Sequence, residues 1–97
     1  MNVTLSDPMV TGIWIETLPD GRTVTAAEIK TDAGYVHVSK IDGESAWWLY
    51  AAYGAAGLPI FERGIGDRSL SAMEIGEDRE IVQRLDAMLS RGEVTSG

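Results

Sequence analysis

Ninety-seven residues, 44% of them apolar and 24% charged, describe a single small domain spanning 1–97 with one modest core and exclude a disordered chain. The absence of cysteine rules out disulfides and thiolate metal sites. Fifteen acidic residues against eight basic ones give a net charge of −7, which disfavours nucleic acid and anionic membranes as direct partners, since both need clustered Lys and Arg.

The opening residues Met1 to Pro8 carry neither a positive n-region nor an apolar h-region, so no secretory signal is expected there. The weakly polar run Ala46 to Phe61 is broken by Gly54, Gly57 and Pro59 and is too short to span a bilayer. A cytoplasmic location is the expectation. Residues 1–9 read as an extended lead-in. Val10 to Leu18 is β-branched and aromatic, as strands are, and Pro19-Asp20-Gly21-Arg22 turns the chain. Thr23 to Thr31 runs back as a second strand, although Thr25-Ala26-Ala27-Glu28 also fits a helix capping box. Asp32-Ala33-Gly34 turns again. In Tyr35 to Ile41, strict alternation sets Val36, Val38 and Lys40 on one side and Tyr35, His37, Ser39 and Ile41 on the other.

Ser45 offers an N-cap for a helix over Ala46 to Tyr53, and Gly57 before Leu58-Pro59 offers its stop. Pro59-Ile60-Phe61 is a short strand, and Leu70 to Ile75 has no clear pattern beyond a capping-box-like Ser71-Ala72-Met73-Glu74. The final helix is the clearest element. Ile81, Val82, Leu85, Met88 and Leu89 recur at helical spacing, Glu80 and Arg84 form an i,i+4 pair, and Gly92 ends it. Residues 93–97 form a flexible tail. The expected fold is α+β, a three-stranded antiparallel meander with two helices packed on it.

Little in the chain carries catalytic chemistry. His37 is the sole histidine; it could act as a general base, but a strand histidine more often makes a structural hydrogen bond. No Asp-x-Asp-x-Asp-Gly calcium loop is present, so neither a metal nor a cofactor is expected. Gly64-Ile65-Gly66, flanked by Arg63 and Arg68, has room for a small anion but lacks the third glycine and the Lys-Ser pair of a phosphate loop.

Two features point instead to recognition of a protein. Trp47, Trp48, Tyr50 and Tyr53 crowd one segment, and Trp and Tyr dominate interface hot spots. On a helix, Trp47 and Tyr50 share a side and Trp48 lies elsewhere, so one part fills the core and the rest is exposed. Glu74, Glu77, Asp78 and Glu80, with Asp86, make an acidic face interleaved by Arg79 and Arg84. The leading expectation is a non-enzymatic acidic module that docks on the basic, nucleic-acid-binding surface of another protein. In size and charge alone, with no shared motif, the chain is similar to small acidic phage-encoded inhibitors of host defence, anti-CRISPR proteins among them. The alternative is a homo-oligomerising adaptor or subunit, a homodimer for instance, that uses the Trp/Tyr segment. A small-ligand domain or enzyme built on His37 and the Arg63–Arg68 loop ranks below both.

Overall fold

A computed structural model describes residues 9–44, 46–65, 73–74 and 79–93. Five antiparallel strands follow one another in space as in sequence. They are β1 (Met9–Thr17), β2 (Thr23–Thr31), β3 (Gly34–Ile41), β4 (Trp48–Gly54) and β5 (Pro59–Glu62). The two-residue β6 (Met73–Glu74) pairs with β4 beside β5, and α1 (Arg79–Ser90) is the helix that packs on the sheet.

The expected meander of three strands therefore exists, but it is the first half of a larger sheet, and the expectation of two helices is wrong. The segment assigned to the first helix is strand β4. Two causes explain the difference. The helix preference of alanine over other residues amounts to only about 0.5 kcal/mol per position, whereas aromatic side chains favour a pleated, half-buried surface. The second cause is tertiary: β4 has a pairing edge on each side, β3 on one and β5 with β6 on the other, so its backbone groups are satisfied without a helix. Gly57, expected to stop a helix, sits at φ 80° in the β4–β5 turn, where its N–H donates to the Gly54 carbonyl at 2.9 Å.

The remaining turns match their residues. Gly21, at φ 91°, donates to the Leu18 carbonyl, and Asp20 accepts from the Arg22 backbone N–H at 3.1 Å. At the end of α1, Gly92 (φ 70°) donates to the Leu89 carbonyl and Glu93 to that of Met88, a Schellman closure. The expectations for the lead-in through Pro8, the Ser45 cap, residues 66–72 and 75–78 and the tail beyond Glu93 lie outside the described residues.

Alternation gives the sheet two different faces. One holds Ile13, Ala27, Ile29, Val38 and Leu49, which form a buried cluster with Trp47 and with Ile81 and Leu85 of α1. Each of the isoleucine, leucine and valine side chains contributes about 1.5–3 kcal/mol when removed from water. At the border of this core Asp86 accepts from Trp47 Nε1 at 3.2 Å and from Lys40 Nζ at 3.4 Å, tying α1 to β3 and to the approach to β4. A second, smaller cluster of Leu18, Val24 and Ile41, with Ile65 against it, closes one end of the opposite face.

Gly34 is where the strands come closest. Its φ is 145°, and a Cβ there would lie 2.0 Å from the Tyr53 carbonyl oxygen, backbone that cannot swing away. Gly34→Ala is expected to lower stability by about 2 kcal/mol or more in urea denaturation, by forcing β3 away from β4. An alanine variant as stable as the parent would show that the β3–β4 approach is looser than described.

Candidate functional site

The face opposite α1 is the candidate site, and the register builds it row by row. Trp14, Ala26, Ser39 and Trp48 are successive cross-strand partners from β1 to β4. The next row runs Gly12, Glu28, His37, Ala51 and Glu62, and the one after it Lys30, Tyr35 and Tyr53. In the middle of β4, the pairing slips between His37 and Val38, so Tyr50 is inserted between Leu49 and Ala51. Trp48 and Tyr50, two residues apart, share a face by plain alternation, and the bulge lets Tyr53, which alternation from Trp48 would send to the other side, join them.

His37 lies at the centre. Its ring centroid is 5.3 Å from Tyr53, 5.8 Å from Tyr50, 5.9 Å from Tyr35 and 6.0 Å from Trp14, the last edge-on. Tyr35 and Tyr53 stack on each other at 4.7 Å. These separations fall in the range where rings attract beyond simple burial. The His37 side chain is 21% exposed, and its Nε2 is 3.0 Å from Glu28 Oε2. The other Glu28 oxygen accepts from Thr11 Oγ1 at 2.9 Å. Both oxygens are thus held in place, yet the Glu28 side chain is 40% exposed.

The charge on this face is negative. The hydrogen bond from His37, with that from Thr11, holds the Glu28 carboxyl below its ordinary range against the opposing effect of partial burial. Glu16 accepts from Trp14 Nε1 at 3.0 Å. Burial pushes the Tyr50 hydroxyl up to about 12, with Glu16, Tyr53 and Glu28 adding to the rise. Burial also raises Tyr53, helped by Glu62 and Tyr35. Glu16, Glu28 and Glu62 therefore surround the rings with negative potential and keep both phenols protonated.

The Thr11 hydroxyl donates to the same Glu28 carboxylate that meets the His37 imidazole. Among the described residues no three His, Asp or Glu side chains stand together as metal ligands. Nor is any helix there long and apolar enough to cross a membrane. Ser39 Oγ, buried at 1% exposure, has no hydrogen-bond partner among the described residues.

The residues expected to bind a partner fall at several places in the fold. Trp47 is 1% exposed and belongs to the core under α1. Trp48, Tyr50 and Tyr53 are half-buried on the aromatic face. Glu80 is exposed on the first turn of α1, 3.5 Å from Arg84, and Asp86 is spent on Lys40 and Trp47. Glu74 is placed only by its backbone, opposite Trp48 in β6, while Glu77 and Asp78 lie outside the described residues. Ile65 of the glycine loop packs with Leu18, Val24 and Ile41, and Arg63 stands 5.9 Å over the Phe61 ring; Gly66 and Arg68 lie outside the described residues. Trp14, Glu28 and Tyr35, by contrast, were not singled out from sequence. Their signal was alternation, which put Tyr35 with His37 but could not name the strands beside them.

No protein-family model, curated protein or solved structure matches this chain.

Removing the Glu28 charge tests the pair at the centre. A carboxyl lowered by folding adds stability above its unfolded value near 4.5, and that contribution is lost as pH falls through the folded value. Wild type is expected to exceed Glu28→Gln by up to about 1 kcal/mol at neutral pH, a small figure because the group is partly solvated. The gap should narrow as the pH falls below the ordinary carboxyl range and close once it has passed the lowered folded value. Chemical denaturation across that window checks it, and a gap that does not change with pH would remove the ionised pair from the account.

Proposed function

We propose that this protein is a non-enzymatic binding module that docks on a basic surface of another protein through the aromatic face of its sheet. The observation that carries the reading is the ring of Trp14, Tyr35, Tyr50 and Tyr53 about His37, bordered by Glu16, Glu28 and Glu62. Among the described residues no helix or strand is seated over it. Large, stiff aromatic side chains supply contact area at low entropic cost, and carboxylates at their margin select a cationic partner and speed its approach. The net charge of −7 acts in the same direction at longer range. A basic surface of this kind is one that nucleic acid also occupies, so the module would act as a competitor for it.

Self-association is the second reading, and a separate observation favours it. Leu58 and Ile60, each 71% exposed, stand at the β5 side of the sheet, and Ile15 is half-exposed in β1 at the opposite side. Apolar side chains on unpaired edges invite pairing with another chain.

Capture by the immobilised protein, compared at about 0.05 and 0.5 M salt, tests both readings. The expected result is a basic, nucleic-acid-handling protein retained at low salt and released at high salt. It should be displaced by added DNA and lost from the double variant Glu16→Lys with Glu62→Lys. Capture that survives the charge reversal would overturn the proposal. A dimer mass in sedimentation, abolished by Ile60→Lys, would support the second reading instead.

A further inference from the structure

Beside His37 the aromatic face falls away into a groove of about 400 Å³, lined by Thr11, Glu28, Lys30, Asp32, Tyr35 and Ala55 among others. Gly34 and Ala55 keep its far end clear of bulky side chains. We propose that this groove is the seat for a single arginine side chain of the partner, its guanidinium paired with Glu28 and laid against Tyr35. The inference rests on the docking role proposed above and names the chemical group that role would recognise.

Four observations support it. The Glu28 carboxylate is an anion fixed in advance: Thr11 and His37 each hold one oxygen, and each oxygen keeps a further lone pair for a ligand. A planar fork of donors matches such a carboxylate, which an ammonium cannot do as well. Second, Tyr35 lines the groove and is stacked on Tyr53 at 4.7 Å, so an aromatic ring of settled orientation stands where a guanidinium plane can stack. Third, Asp32 adds a second carboxylate at the turn between β2 and β3. Fourth, the volume lies at the lower end of the range for sites that enclose a small group. It suits one side chain better than an extended segment.

Lys30 also lines the groove, and it supplies the sharpest test. It is exposed. If the occupant is a cation, Lys30 opposes it, and removing the charge must strengthen binding. An anionic or polyhydroxylated occupant would use Lys30 as a donor, and removal must weaken binding. The two possibilities differ in sign.

The experiment titrates the isotope-labelled full chain with a short capped peptide bearing one arginine, and with its citrulline and lysine counterparts, followed by amide and ring shifts. The arginine peptide is expected to bind in about the millimolar range, perturbing Glu28, Tyr35 and His37, with citrulline weaker by roughly tenfold or more. Lys30→Gln should tighten arginine binding about two- to fivefold, and Glu28→Gln should weaken it by about as much as the citrulline exchange does. Citrulline or lysine binding as well as arginine would overturn the proposal, as would weaker binding by Lys30→Gln. Lys30→Gln alters an exposed side chain, so this arm does not depend on whether Glu28→Gln folds. Failure here, with salt-dependent capture of a basic protein intact, would remove the arginine seat and leave the docking role standing. Loss of capture as well would remove both.

Discussion

Strand β4 is the constraint on which both faces of this protein depend. It pairs with β3 along one edge and with β5 and β6 along the other, which makes it the member that carries the sheet past a simple meander. Its alternation sends Leu49 into the core beneath α1 and Trp48 and Tyr50 to the opposite side. The bulge at Tyr50 breaks that alternation at one place, and the break sets Tyr53 on the same side, next to His37. A β4 without the bulge would leave the histidine with a smaller aromatic wall and would direct a phenol toward the core. The bulge costs one regular pairing. It adds a partly buried hydroxyl to the face that the docking proposal requires.

The two faces are stabilised by different physics. Beneath α1 the terms are area and packing, with Asp86 satisfying the one indole donor that the core brings with it. On the other face burial is partial and the interactions are directional: ring edges against ring faces, Thr11 and His37 on Glu28, Trp14 on Glu16. Partial burial there raises the phenols of Tyr50 and Tyr53, while hydrogen bonding lowers Glu28. Charge and neutral donors are thus sorted on one surface, with the carboxylate ionised and the phenols protonated. A surface organised in this way discriminates between partners through electrostatics and shape, not through apolar area alone.

Much of this was legible in the sequence wherever one local signal dominated. The first three strands follow from β-branched runs bounded by Pro19-Asp20-Gly21 and Asp32-Ala33-Gly34, and α1 follows from Ile81, Val82, Leu85, Met88 and Leu89. Alternation in β3 correctly grouped Tyr35 with His37 and Ser39. The aromatic segment was misread because its local signals conflict. Alanines and a glycine–proline exit fit a helix, four aromatics fit a strand, and the deciding factor is the pair of free edges that only the assembled sheet provides. The candidate face was only partly legible for the same reason. Thr11, Glu28, Tyr35, His37 and Tyr53 come from four strands, and their meeting depends on register, which single-chain periodicity does not report.

The most direct test of this account is the backbone geometry of residues 47–54 by NMR. A strand paired with β3 predicts Hα–Hα contacts between Tyr35 and Tyr53 or their neighbours, ring contacts from His37 to both Tyr50 and Tyr53, and slow amide exchange along β4. Sequential amide–amide contacts and i,i+3 contacts through 47–53 would mean that the segment is helical, and would dismantle the aromatic face together with the functions proposed for it.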